Sequence, residues 1–183
     1  MRVFAGRFPS EVAGVVLVDS SHPDQALRLH VPVNPAKDIQ KWEPLLPLMQ
    51  RLGILRIGLR QEPRPASFSK DAWDEVLYLR EKTNSYMAIL REGEAWAESA
   101  DQVRKSGDLG AKPLLVLTGS RDADAQWLAL WIHGLQTDMV RLSSRGKQIV
   151  LNNSGHGIQF DAPGAVADAI HEVWDAVRAD RRK

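Results

Sequence analysis

Val12-Ala-Gly-Val-Val-Leu-Val18 decides the fold. The run is apolar without alternation and rich in β-branched residues. That pattern suits a strand buried on both faces, as strands of parallel sheets are. Two more such runs follow, Leu114-Leu-Val-Leu117 and Gln148-Ile-Val-Leu151. Between them Leu128, Trp131, Leu135, Met139 and Leu142 fall on one helical stripe. After the third run a helix begins near Pro163, a good first-turn residue, with Val166, Ile170, Val173, Trp174 and Val177 as its apolar stripe. Strands alternating with helices imply right-handed crossovers and a parallel sheet. The expected class is α/β, with three parallel strands and flanking helices.

The rest of the chain is organised around that core. Met1 to Phe8 reads as the tail of a helix, because it runs into Pro9 with no capping residue in front of it. From about residue 24 to residue 110 the pattern is helical, broken by prolines at 32, 35, 44, 47, 63 and 65, and no strand signal appears. Ser69 is placed to cap a helix that has Asp71 in its first turn. A second helix is expected from about Ser85 to Lys105. The whole of 1–183 then reads as one domain, with 24–110 as a helical insertion within it.

Composition narrows the function classes. Of the 183 residues, 44% are hydrophobic and 26% charged, which is globular rather than disordered. The net charge of +1 gives no pull toward nucleic acid or anionic lipid. The basic tail from Arg178 reads as a solvated helix end, where cations suit the helix dipole. There is no cysteine, which excludes disulfides, thiol nucleophiles and thiolate metal sites. No apolar run reaches the roughly 18 residues of a membrane span, and no signal peptide is visible. Cytoplasm is the default compartment.

Ligands of open α/β sheets bind outside the carboxyl ends of the strands. Those ends present Asp19, Asp122 with Asp124 close behind, and His156. His156 lies between Gly155 and Gly157, a tight turn that leaves the imidazole uncovered as a general base requires. Asp122, after a strand and a turn glycine, is the first choice for the acid that orients it. Asp124 competes for that role or for a helix cap, and Asp19 is the third candidate. His133 and His171 fall inside helices, His22 in a turn, and His30 carries no signal. No histidine pair has metal-ligand spacing. Trp127, Trp131 and Trp174 read as core. Trp42, Trp73 and Trp96 lie in the insertion, where core packing is favoured over contact with an acyl or aromatic substrate.

A histidine and an acid call for a nucleophile. Gly-x-Ser-x-Gly on a strand–turn–helix elbow is absent, and Ser120, Ser144 and Ser154 do not sit in such an elbow. The run from Arg2 to Asp24, Pro113-Leu-Leu-Val-Leu-Thr-Gly-Ser-Arg-Asp122 and Asn153-Ser-Gly-His-Gly-Ile-Gln-Phe-Asp-Ala-Pro163 together resemble the α/β-hydrolase superfamily. They match its segment after the elbow, its acid-bearing strand and its histidine loop. The resemblance implies a partial α/β-hydrolase fold with a cap or lid in 24–110. It implies a Ser-His-Asp triad of which this chain holds His156 and Asp122, acting on a small-molecule ester, lactone or amide without cofactor or metal. The elbow would lie just before Met1, so the serine is expected to be missing and the 183 residues alone inactive. The alternatives are an inactive fragment or binding module, an aspartate nucleophile as in dehalogenases and epoxide hydrolases, or acyl transfer. Self-association through an exposed Val12–Val18 edge is a further expectation.

Overall fold

The computed structural model describes residues 1–30, 37–121 and 123–182, with the side chain of residue 39 left aside. The chain divides into two compact units, one of residues 1–31 with 100–183 and one of 32–99. The second is narrower at both ends than the insertion drawn from sequence.

The first unit holds α1 (Arg2–Arg7), β1 (Val15–Val18) and α2 (Gln25–Arg28). After the second unit come β2 (Leu114–Gly119), a helical stretch over 125–140, β3 (Gly146–Leu151), and two closing helices at Ile158–Asp161 and Pro163–Asp180. The sheet order is β1-β2-β3 and both pairings are parallel. Val15 to Val18 pair with Leu114 to Leu117, and Leu114 to Gly119 pair with Gly146 to Leu151. This is the expected α/β core.

β2 is central and buried along its whole length. Its alternate side chains enter two separate cores. Leu114 and Val116 pack with Ala5, Val15, Leu17 and Met139 on one face, and Leu115 and Leu117 with Ile158, Ala169 and Val173 on the other. β1 starts three residues later than the apolar run. Gly14 lies against the closing helix so tightly that a Cβ there would meet Val173 Cγ1 at 2.5 Å. Val12 to Gly14 lie outside the ladder.

Three helical expectations need correction, two of them in the first unit. The stretch after β2 is not one regular helix. It runs as a short α-helix Ala125–Trp127, a π-helical segment Leu128–Gln136, and a last α-helical turn Thr137–Val140. The wider i→i+5 turn buries Ile132 and Gln136 with Trp131 and Leu135, while Leu128 stays exposed. In the helix Pro163–Asp180, Ala169 and Val173 are buried, but Ile170 and Trp174 of the expected core stripe are more than half exposed.

The described part of the second unit is built of helices joined by turns and irregular chain, with no strand. Its elements are α3 (Lys37–Gln40), a 3₁₀ turn Glu43–Leu45, α4 (Leu46–Arg51), α5 (Ile54–Leu59), α6 (Lys70–Arg80) and α7 (Thr83–Glu94). α8 (Trp96–Arg104) runs on into the first unit. The single helix expected from 85 to 105 is therefore two, parted at Ala95. Leu46, Leu55 and Leu90 form this unit's core. Ser69 caps α6 as expected, accepting from Ala72 N at 3.2 Å. Arg56 grips Glu81 with two hydrogen bonds, Nε to Oε2 at 2.7 Å and Nη2 to Oε1 at 2.9 Å, and holds that carboxyl down at about 2.

With the remaining elements numbered in chain order, Ala125–Trp127 is α9, Thr137–Val140 is α10, Ile158–Asp161 is α11 and Pro163–Asp180 is α12.

Candidate functional site

The carboxyl ends of the strands bring one acid and one imidazole together. His156 Nδ1 and Asp19 Oδ2 are 2.8 Å apart, across 137 residues of sequence. Asp19 follows β1 directly and its backbone N–H donates to Leu117 O at 2.8 Å. Its side chain then turns over the end of β2. There Oδ1 accepts from Gly119 N and from the indole Nε1 of Trp131, each at 3.2 Å. Asp19 is 4% exposed. A buried carboxylate is tolerable only when its oxygens are hydrogen-bonded, and both of these are.

His156 stands on the opposite footing, with its side chain 82% exposed. Nδ1 is committed to Asp19, so Nε2 is the nitrogen left toward solvent. A buried acid that fixes the tautomer and an accessible second nitrogen are what a general base needs.

Gly119 makes this meeting possible. β1 and β3 flank β2, so Asp19 and the loop after β3 must approach each other across the last residue of β2. A Cβ at Gly119 would lie 2.2 Å from Gly155 O and 2.8 Å from Ser154 O. Only a residue without a side chain lets the histidine loop come this close.

The loop is held on its other side as well. Arg121 N donates to Ser154 O at 2.9 Å, and Ser120 Oγ to Asn152 Oδ1 at 2.8 Å. Asp161, in α11, accepts from Gly155 N at 2.9 Å and pairs with Arg121 at 3.1 Å. The Gly155 N–H, with Arg121 beside it, holds the Asp161 carboxyl below the usual carboxylate range. A carboxyl whose folded pKa is depressed stabilises the fold fully above its unfolded value, near 3.9, and loses that contribution as pH falls through the lower folded value. Asp161→Asn is therefore expected to melt below the wild type at pH 7. The gap should close as the pH drops below about 4. Melting curves across that range, with hydrogen exchange at the Gly155 amide, check both points.

The other sequence candidates fall out as follows. Asp122, the first choice for the acid, lies outside the described residues. Asp124 serves as the N-cap of α9, accepting from Trp127 N at 2.7 Å. Asp19, ranked third, is the carboxylate bonded to His156. His133 and His171 are exposed on their helices. His22 Nδ1 accepts from Asp24 N at 3.0 Å and closes a turn, and burial lowers its pKa. Ser120 and Ser144 donate to Asn152 and to Gly110 O, while Ser154 is buried. No serine hydroxyl among the described residues bonds to His156. Among those residues no group of three or more His, Asp or Glu could hold a metal ion, and no helix is long and apolar enough to cross a membrane.

The tryptophans divide. Trp131 is buried and stacks at 5.2 Å on Trp127, which is 41% exposed. Trp174 and Trp42 are exposed rather than core. Trp131 was legible as a buried aromatic but not as a ligand of the acid. The available signal was that a buried indole N–H needs an acceptor.

No known protein family matches the chain, and neither a curated protein nor a solved structure does.

Proposed function

We propose that this chain holds the acid–base half of a hydrolase of the α/β-hydrolase type, with His156 as general base and Asp19 as its orienting acid. The 2.8 Å bond between Asp19 and His156 carries the reading. In the reaction a serine supplied from outside these 183 residues attacks the carbonyl of an ester, lactone or amide. His156 Nε2 takes the serine proton and later returns it to the leaving group. Asp19 keeps the other ring nitrogen protonated and offsets the charge of the imidazolium. The helical unit 32–99 serves as the cap or lid, and it is where substrate choice resides.

Asp122 remains the alternative acid on the strength of the sequence resemblance. An aspartate nucleophile in place of serine, or acyl transfer in place of hydrolysis, uses the same histidine. The purified chain is expected to be inactive: a fluorophosphonate probe should not label it. Joined in frame to upstream sequence bearing Gly-x-Ser-x-Gly, it should label and turn over p-nitrophenyl esters, and His156→Ala should abolish turnover. Undiminished turnover in that variant would overturn the assignment.

A further inference from the structure

Trp131 and Gln136 stand five residues apart on one helical segment, yet both reach the end of β1. Trp131 Nε1 donates to Asp19 Oδ1 at 3.2 Å, and Gln136 Nε2 donates to Ser20 O at 2.9 Å. In a regular α-helix of 3.6 residues per turn, residues at this spacing point about 140° apart. The i→i+5 turn of a π-helix brings them over one another, and Leu128–Gln136 has that turn. The wider turn is what lets one segment hold two consecutive residues, Asp19 and Ser20.

The segment is itself tied to the sheet. Gln148 Nε2, on β3, donates to Ile132 O and to Thr118 Oγ1 of β2, each at 3.1 Å. Thr137 Oγ1 donates to the same Ile132 carbonyl at 3.1 Å. Trp131 is 4% exposed and Gln136 0%. Gln136 Oε1 is buried with no hydrogen-bond partner among the described residues. An unpaired buried oxygen destabilises a fold, so methionine, equally long and unbranched, would serve packing better. What the amide supplies is the bond to Ser20.

We infer, resting on the hydrolase reading above, that Leu128–Gln136 orients the acid–base pair, with Trp131 and Gln136 as positioning residues that act through Asp19. Asp19 Oδ1 has two donors, Gly119 N and Trp131 Nε1, while Oδ2 faces His156 Nδ1. Gly119 N alone fixes one point of the carboxylate. The indole adds the second point that keeps its plane, so that Oδ2 stays on the ring. Without it the carboxylate can turn about its Cβ–Cγ bond and leave Nδ1 for part of the time.

The imidazole ¹⁵N shifts of His156 in the 183-residue chain read this orientation without any turnover. Trp131→Phe keeps a buried aromatic ring and drops the N–H. Its spectrum is expected to move from a ring protonated on Nδ1 toward a mixture of the two tautomers. Gln136→Met should melt no lower than the wild type and yet move the same shifts in the same direction. Trp127→Phe alters the ring stacked on Trp131 at 5.2 Å and should leave the shifts alone. A packing role would instead make the shifts follow the melting temperature in all three variants. With the nucleophile supplied, Trp131→Phe should lower kcat about ten- to a hundredfold at unchanged KM, the scale of one hydrogen bond to a charged group. Wild-type imidazole signals in either folded variant, Trp131→Phe or Gln136→Met, would overturn the inference. The hydrolase reading would still stand if His156→Ala abolished turnover. Moved signals in a protein that turns over no ester would overturn that reading and keep the positioning role. Gln136→Met decides the matter if Trp131→Phe does not fold.

Discussion

Asp19→Asn is expected to lower ester turnover about a thousand- to ten-thousand-fold in a form of the protein that supplies the nucleophile, close to the loss from His156→Ala. In barrier height this is about 4–5.5 kcal/mol. The reason is the tautomer. Asparagine is nearly the shape of aspartate, and its oxygen can still accept from Gly119 N and Trp131 Nε1. Its NH₂ group then faces His156 Nδ1 and donates to it. The ring must carry its proton on Nε2, where a base needs a lone pair. Little should change in the melting curve, and the ¹⁵N shifts of the imidazole should report the swapped tautomer in the 183-residue chain itself. Asp124→Asn should leave turnover unchanged, since that side chain caps α9. Asp122→Asn is the decisive comparison. A large loss there, with Asp19→Asn still active, would return the acid to the residue that the sequence resemblance favours.

The second large effect falls on Gly119. Adding one methyl group in Gly119→Ala puts a carbon 2.2 Å from Gly155 O, which is backbone and cannot swing aside. Either the loop 154–156 lifts away or the end of β2 shifts. Overpacking of this kind costs about 1–3 kcal/mol, occasionally more, and here the displaced loop bears the histidine. The expected variant therefore melts several degrees lower and also loses the Asp19–His156 bond. Gly14→Ala is a useful contrast. Its Cβ would also clash, but with the side chain of Val173, at a point away from the loop. It should lower stability while keeping the histidine tautomer. If Gly119→Ala preserved both the melting temperature and the imidazole shifts, the close crossing over β2 would be wrong.

What the sequence made legible follows from what local pattern can encode. The strand read at 114–117 and found at 114–119 could be recognised because a buried central strand needs an unbroken apolar run. The rim with an acid and a histidine could be read because parallel strands all end on one side. Which acid meets the histidine could not. Asp19 reaches His156 by crossing the end of β2, and that path exists only because residue 119 has no side chain. Spacing along the chain contains no record of it. The stripe Val166-Ile170-Val173-Trp174 shows a second limit. Periodicity identifies the apolar face of a helix, but not whether anything lies against it, and Ile170 and Trp174 stay more than half exposed. The π-helical segment 128–136 shows a third, since apolar residues three and four apart fit an α-helix equally well.

Asp19 also has an uncommon backbone, with φ at +41°. L-residues other than glycine pay roughly 1–2 kcal/mol to sit in left-handed geometry, and aspartate and asparagine tolerate it best because their short polar side chains bond locally. Glycine would relax the main chain here yet remove the carboxylate, and glutamate would keep a carboxylate on a backbone that resists it. The position thus admits very few residue types for two unrelated reasons, one conformational and one chemical. One side chain at this turn thus accepts a left-handed backbone and supplies the oxygens that meet His156, Gly119 N and Trp131.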